Sequence, residues 1–168
     1  MQYWWASKCD GASAVRKFVL AAALLIASCG GETQSASWTS IDIQEVSTGQ
    51  QTTMKDVLDG RPTFVSLWSV TCTPCKRELP WLQKIADDHK DIQVVGIDIG
   101  DDLVDIKEFS ASLHLTFPNY RDELGGMLSA LEVAQVPATF AIDKKGAIVW
   151  RHLGALSYEE LQNRIDSF

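Results

Sequence analysis

The spacing of apolar residues switches several times between a period of two, typical of strands, and a period near 3.6, typical of helices. Ile41, Ile43 and Val46 approximate the shorter period, and the turn pair Thr48-Gly49 then predicts a hairpin with a return strand over 50–53. Further along, we predict a helix over 54–58, a strand over 63–68, a helix over 74–89, a strand over 92–99, helices over 103–113 and 122–131, and strands over 138–142 and 147–151.

The C-terminal part of the pattern closes with a hairpin and a helix. The turn signal over 143–146 separates the last two predicted strands. Ser157, followed three residues later by Glu160, is a capping box and predicts the start of the terminal helix. Strands that alternate with helices and end in a hairpin predict an α/β fold, with a central mixed β-sheet flanked by helices and an N-terminal β-hairpin extension.

The N-terminal residues follow a different pattern. Arg16 and Lys17 precede an apolar run over 18–27, and small residues then lead to Cys29. This is the order of a secretory signal, and the run is shorter than the roughly 20 residues that span a bilayer. The sequence over 26–29 resembles a bacterial lipobox, so we expect a leader and lipoprotein signal peptide over 1–28 and lipidation of Cys29. An ordinary signal peptide that contains a cysteine is the alternative.

Two further segments complete the predicted organisation. Residues 1–14 fit poorly as the start of a signal, and initiation at Val15 would leave them untranslated; the protein sequence does not distinguish the two starts. Residues 29–37 are rich in small and polar residues and predict a flexible tether. We therefore expect a domain over 38–168 that is lipid-anchored and extracytoplasmic, in the periplasm or at the outer face of a membrane.

Composition and charge narrow the function classes. With 46% hydrophobic and 22% charged residues, the chain has the balance of a globular protein. From Cys29 onward it carries 12 basic and 21 acidic residues, a net charge of −9. Such a surface repels phosphate groups, so we expect no nucleic-acid partner.

Cys72 and Cys75 form a CxxC motif between a predicted buried strand and a predicted helix. At a helix N-terminus, unpaired backbone N–H groups and the helix dipole favour a thiolate over a thiol. Cys72 is therefore the expected nucleophile, and Cys75, deeper in the helix, is the expected resolving thiol. Half of a zinc site is the alternative, but zinc needs three or four protein ligands, and the three histidines are scattered singly.

Two segments, WSVTCTPCKRELP over 68–80 and VPATFAID over 136–143, resemble the TlpA/ResA-like membrane-anchored thioredoxin family. The resemblance spans roughly 41–168 and implies a thioredoxin-like fold. The chain departs from the pattern at Thr71, where the family usually has tryptophan, and at Ser66, where cytoplasmic thioredoxins carry a buried aspartate. These departures concern the redox potential and leave the expected fold unchanged.

The resemblance also implies roles for individual residues. Pro137 corresponds to a cis-proline that packs against the active-site disulfide, with the Val136 backbone presented to an extended substrate, and Trp68 is expected to form a wall beside the disulfide. Glu78 by itself would be interpreted as a solvated helix charge. In the family, however, an acid at this position lies near the cysteines and handles protons, which Ser66 cannot do.

The function implied is a thiol-disulfide oxidoreductase that reduces disulfides in exported proteins such as apocytochrome c during cytochrome c maturation. A membrane thiol-disulfide donor would recharge the Cys72–Cys75 pair, and no bound cofactor or metal is expected. A copper-binding or copper-delivery lipoprotein is one alternative, although such proteins space their cysteines by three residues and add a distal histidine. A thiol peroxidase of related fold is another, although the segment before Cys72 lacks the expected threonine and arginine pattern.

Overall fold

The structure is a computed structural model that describes residues 38–165 and 168. The leader, Cys29 and the tether predicted over 1–37 lie outside the described residues. The strands are β1 (Asp42–Glu45), β2 (Gln51–Thr53), β3 (Thr63–Trp68), β4 (Gln93–Ile99), β5 (Asn119–Asp122), β6 (Ala138–Ile142) and β7 (Ile148–Leu153). The helices are α1 (Met54–Val57), α2 (Thr73–Asp88), α3 (Leu103–Ser112), α4 (Gly126–Ala130) and α5 (Tyr158–Ile165).

The strands form one mixed sheet in the order β2-β1-β5-β4-β3-β6-β7. The three central strands β5, β4 and β3 run parallel, and both flanks are antiparallel: β1 pairs with β5 and β2, and β6 pairs with β3 and β7. The expected mixed sheet with an N-terminal hairpin extension is thus confirmed. The hairpin lengthens the sheet beyond β5 and leaves β3 and β4 in the middle.

Successive side chains of β3 point to opposite faces of the sheet. Among the described residues, the buried apolar side chains form two clusters, one on each face. Val65 and Leu67 pack on one face with Met54 of α1 and Met127 of α4. On the other face, strand and helix residues pack together: Phe64, Trp68, Cys75, Leu79, Leu82, Ile106 and Leu161. All six residues of β3 are buried, as its continuous apolar pattern predicts for a central strand.

The predicted helix over 122–131 is wrong in its first half. Asn119–Asp122 is strand β5, and α4 spans only Gly126–Ala130. Asp122 ends the strand, and its carboxylate accepts hydrogen bonds from the backbone N–H groups of Gly126 (3.1 Å) and Met127 (2.7 Å). Gly125 has a φ of 68°, a conformation that favours glycine and separates the two elements.

The other predicted elements begin and end within two residues of the observed ones. The capping box is confirmed: the Glu160 carboxylate accepts from the Ser157 N–H at 2.8 Å, and the Glu160 N–H donates to the Ser157 hydroxyl at 3.3 Å. None of the helices within 38–165 is both long enough and apolar enough to cross a lipid bilayer.

Candidate active site

The CxxC motif lies where β3 leaves the sheet and α2 begins. Cys72 is the N-cap of α2, Pro74 lies in its first turn, and the Cys75 N–H donates to Cys72 Sγ at 3.2 Å. The two cysteines form a disulfide. Cys72 is partly exposed, whereas Cys75 is 1% exposed. The sulfur that meets solvent is thus the one that accepts a hydrogen bond from the helix N-terminus.

The Val136–Pro137 peptide bond is cis and lies at the same edge of the sheet. Strand β6 starts directly after it, with Ala138 opposite Leu67 of β3, so Pro137 is level with the end of the strand that leads to Cys72. The Pro137 carbonyl accepts a hydrogen bond from the Gly154 N–H at 2.9 Å. Val136 is only partly buried and packs against both apolar clusters.

Glu78 lies on α2, one turn after Cys75, and is fully buried. Its Oε1 accepts from the Thr139 hydroxyl, and its Oε2 accepts from the Leu156 N–H at 3.3 Å. Burial raises the pKa of Glu78 to about 7, and these hydrogen bonds oppose that rise because they favour the charged form. The Ser66 hydroxyl also favours the carboxylate, although it makes no hydrogen bond of standard geometry within the described residues.

The interpretation of Glu78 as a solvated helix charge, drawn from its spacing alone, is therefore wrong. The spacing places it at the border of the apolar stripe of α2, and the structure turns it inward because Thr139 and Leu156 supply donors there. Sequence reasoning missed both donors. They lie 61 and 78 residues from Glu78, and no local pattern signals such a contact.

Trp68 is the residue expected to form a wall beside the disulfide. Its side chain is 0% exposed and belongs to the same buried apolar cluster as Cys75. It stacks on Phe109 of α3, with ring centroids 5.3 Å apart. The ammonium group of Lys76 lies 5.4 Å from the centre of the Phe109 ring. Trp68 thus supports the end of β3 from inside the domain.

The loop before Cys72 is held by an aspartate from the neighbouring strand connection. The Val70 N–H donates to Asp101 Oδ2 at 2.8 Å, and the Asp101 N–H donates to Asp98 Oδ1 at 3.0 Å. Sequence reasoning missed both aspartates. An acidic residue inside the apolar pattern of β4 was the available signal, since Asp98 interrupts the apolar residues that follow Gln93 in this strand.

Within the described residues, no group of three or more His, Cys, Asp or Glu side chains is arranged to hold a metal ion. The chemistry that these residues can carry directly is that of the cysteine pair. It combines a partly exposed sulfur at a helix N-terminus, a buried second sulfur, and a buried carboxyl group one helical turn further along.

Comparisons with known proteins identify the family of the chain. The AhpC/TSA family matches residues 35–151, more than half of the chain. The thiol-disulfide oxidoreductase ResA of Geobacillus kaustophilus is 27% identical over 110 residues, which cover 64% of this chain and 63% of that protein. The match therefore spans less than two thirds of the relative's length.

Solved structures extend the likeness to the fold. A secreted disulfide oxidoreductase of Mycobacterium tuberculosis, homologous to E. coli DsbE, is 25% identical with a TM-score of 0.66 over 76% of this chain and 95% of that chain. The thioredoxin domain of a thiol-disulfide oxidoreductase from Bacteroides vulgatus is 21% identical with a TM-score of 0.66, over 76% and 91%. The chain therefore belongs to the AhpC/TSA family, as a TlpA/ResA-like protein of thioredoxin-like fold.

Proposed function

We propose that the protein is a thiol-disulfide oxidoreductase that reduces disulfides in exported proteins. The observation that carries the proposal is the inequality of the two sulfurs, because Cys72 is partly exposed at the N-cap of α2 and Cys75 is 1% exposed. Disulfide exchange by a CxxC pair needs one accessible nucleophile and one protected resolving thiol. The names of the relatives, ResA and a DsbE homologue, support the same class of reaction.

The first step uses the reduced pair. The Cys72 thiolate attacks one sulfur of the substrate disulfide, the substrate S–S bond breaks, and the second substrate sulfur leaves as a thiolate. A mixed disulfide now joins Cys72 to the substrate. The backbone N–H of Cys75, which contacts Cys72 Sγ at 3.2 Å, favours the thiolate before attack. The cis Val136–Pro137 segment lies at the same edge of the sheet, and we expect its backbone to align an extended substrate beside Cys72.

The second step releases the product. Cys75 gives its proton to the Glu78 carboxylate, and the resulting thiolate attacks Cys72 Sγ. The mixed disulfide breaks, the remaining substrate sulfur leaves as a thiolate, and the Cys72–Cys75 disulfide forms. Two electrons have passed from the protein to the substrate. Glu78 suits this role because its pKa of about 7, raised by burial, lets it take and return a proton near neutral pH.

A membrane thiol-disulfide donor would return two electrons to the oxidised pair. The resemblance to the TlpA/ResA-like family points to apocytochrome c as a substrate, since its haem-attachment cysteines must be reduced before haem is joined. We further propose that the domain works outside the cytoplasm, attached to a membrane through lipid on Cys29. The secreted M. tuberculosis relative and the signal-like sequence over 16–29 support this location.

Trapping of the mixed disulfide tests the proposal. Full-length Cys75→Ser, which keeps the nucleophile but lacks the resolving thiol, should accumulate a covalent complex with its substrate. Cys72→Ser and the double variant are the matched controls and should trap little. Complexes are recovered from the membrane fraction under non-reducing conditions and identified by mass spectrometry. The proposed substrate predicts an apocytochrome c among them.

Two outcomes would contradict the proposal. Trapping mainly through Cys75 would reverse the roles of the cysteines. Tight, stoichiometric copper binding by the wild-type protein, without thiol exchange, would instead support the metal-carrier alternative.

A further inference from the structure

Asp98 is a buried acid that the proposed reaction does not use. It lies near the end of β4, in register with Trp68 of β3, and its side chain is fully buried. Its two carboxyl oxygens have different surroundings. Oδ1 accepts the Asp101 N–H at 3.0 Å, whereas Oδ2 is buried without a hydrogen-bond partner in the described part of the chain. Burying a carboxylate oxygen without a hydrogen-bond donor lowers the stability of the fold, so this arrangement requires a physical explanation.

The surroundings of Asp98 connect it to the active-site loop. Asp101 uses its backbone N–H to contact Asp98 and its Oδ2 to accept the Val70 N–H at 2.8 Å. The Asp101 carbonyl accepts from Arg121 Nε at 2.7 Å, which fixes the same loop from β5. Val70 lies two residues before Cys72, inside a turn in which the Cys72 N–H donates to the Ser69 carbonyl at 3.1 Å. The position of the Cys72 segment therefore depends on Asp101.

The charges around Asp98 favour its neutral form. Burial raises its pKa to about 8; the Asp101 carboxylate raises it as well, and Arg121 of β5 opposes the shift. In the neighbouring strand β3, the residue in register with Asp98 is the uncharged Trp68. Beyond Trp68 lie Phe109 of α3 and the ammonium group of Lys76 from α2, 5.4 Å from the centre of that ring. A protonated carboxyl group carries an O–H donor, which is what the orphaned Oδ2 lacks as a carboxylate.

We propose that Asp98 is a positioning residue for the active-site loop: its Oδ2–H donates to the Asp101 carboxylate, and this acid pair holds the Val70 amide and with it the segment that enters Cys72. Loss of the proton from Asp98 sets two negative charges against each other and loosens the contact between Asp101 and Val70. The consequence for disulfide exchange rests on the proposed function. The hold on the loop is a property of the fold and can be tested separately.

The test follows the Val70 amide of the oxidised protein by NMR between pH 6 and 10, since the cysteines of the disulfide form do not titrate. The wild-type Val70 resonance should shift with a midpoint near the Asp98 pKa of about 8. Asp98→Asn should abolish this transition, because the Asn amide donates to Asp101 and has no proton to lose. Asp102→Asn is the matched control: it removes one negative charge from the same loop at a side chain that is 85% exposed, and it should leave the transition in place.

Asp101→Asn provides a second variant in case Asp98→Asn folds poorly. It keeps an acceptor for the Val70 N–H but removes the neighbouring charge, so the midpoint should move to lower pH. A wild-type Val70 resonance that does not move, a transition that persists in Asp98→Asn, or an unchanged midpoint in Asp101→Asn would each overturn the proposal.

Disulfide exchange assays separate this inference from the proposed function. Asp98→Asn should match wild-type exchange at pH 6.5, and at pH 9.5 the wild type should be slower than Asp98→Asn by about threefold or more, a difference of roughly 0.7 kcal/mol. If neither the wild type nor any variant exchanges disulfides while Val70 titrates as described, the proposed function is wrong and the proposed contact between Asp98 and Asp101 is supported. If exchange occurs but is indifferent to Asp98 at every pH, the link from the loop to the reaction is wrong.

Discussion

Glu78 on α2 and Asp98 on β4 are both fully buried acids, yet they differ in what their oxygens contact. Both oxygens of Glu78 accept hydrogen bonds, from the Thr139 hydroxyl and the Leu156 N–H. Asp98 has one donor, the Asp101 N–H, and a second oxygen without a partner in the described residues. Burial raises the pKa of each, to about 7 for Glu78 and to about 8 for Asp98.

The comparison shows how hydrogen-bond donors decide the use of a buried acid. Donors at both oxygens favour the charged form and keep the pKa of Glu78 near neutrality, where a group can both accept and release a proton. Asp98 has a neighbouring carboxylate in place of a second donor, so its proton stays bound at neutral pH and serves as a hydrogen-bond donor. One acid is suited to exchange a proton with Cys75, and the other is suited to keep one.

The largest expected effect that separates the two acids is on stability. Each acid has a folded-state pKa above its usual value. The folded state therefore holds a proton that the unfolded state has lost, between pH 3.8 and about 8 for Asp98 and between pH 4.5 and about 7 for Glu78. Stability therefore falls as pH rises through each window. Between pH 4 and pH 9, the stability of Asp98→Asn relative to wild type should increase by about 5 kcal/mol and that of Glu78→Gln by about 3 kcal/mol.

Urea unfolding of the oxidised proteins at pH 4 and pH 9 measures this effect. At pH 4, both acids are protonated in the folded chain and only partly ionised in the unfolded chain, so the two variants should lie within about 1 kcal/mol of wild type. Asp102→Asn, with its exposed side chain, should show little dependence on pH relative to wild type. Equal stability of Asp98→Asn and wild type at both pH values would mean that Asp98 is ionised in the folded state.

The second prediction concerns the reaction. In single-turnover oxidation of the reduced protein by a peptide disulfide, Glu78→Gln should slow the closing step at pH 8 by about a hundredfold, the range of general base catalysis. The wild-type rate should rise as pH passes about 7, because Glu78 becomes a proton acceptor as it ionises. The glutamine variant should lack this rise. The closing step is monitored by quenching samples in acid and counting their free thiols.

Glu160→Gln is the matched control for this variant. Glu160 is an exposed acid whose charge acts on Glu78 from the start of α5, so its replacement changes the charge near Glu78 without touching the Cys75 side of the helix. Its rate should stay within about twofold of wild type. Superimposable pH profiles for Glu78→Gln and wild type would show that Glu78 takes no part in proton transfer.

The sequence predicted the fold better than it predicted the surroundings of the site. Strands β3 and β4 and helix α2 carry strong apolar periods, and their bounds were found within two residues. Strand β5, with the sequence NYRD, has no such period; it is a strand because it pairs with β4 and β1. That pairing joins residues far apart in the chain, which a local pattern does not report.

The same limit applies to the side chains around the cysteines. Spacing alone identified Cys72 and Cys75, because a CxxC motif between a strand and a helix is a local feature. The burial of Glu78 depends on Thr139 and Leu156, and the burial of Trp68 depends on Phe109. These are tertiary contacts. Family resemblance pointed to Glu78, whereas Asp98 and Asp101 emerged only from the hydrogen bonds of the folded chain.

The smallest expected effect tests whether hydrogen-bond donors set the pKa of Glu78, as its comparison with Asp98 implies. Thr139→Val removes the hydroxyl that favours the Glu78 carboxylate, so the Glu78 pKa should rise above about 7, closer to that of Asp98. A hydrogen bond contributes about 0.5–1.5 kcal/mol, so the midpoint of the pH-rate profile should move up by up to about one unit. The exchange rate at pH 7 should fall less than tenfold, and the rate at pH 9, where Glu78 is ionised in both proteins, should match wild type. Thr139→Ser keeps the hydroxyl and should restore the wild-type midpoint. An equal loss of rate at every pH would mean instead that Thr139 acts through packing alone.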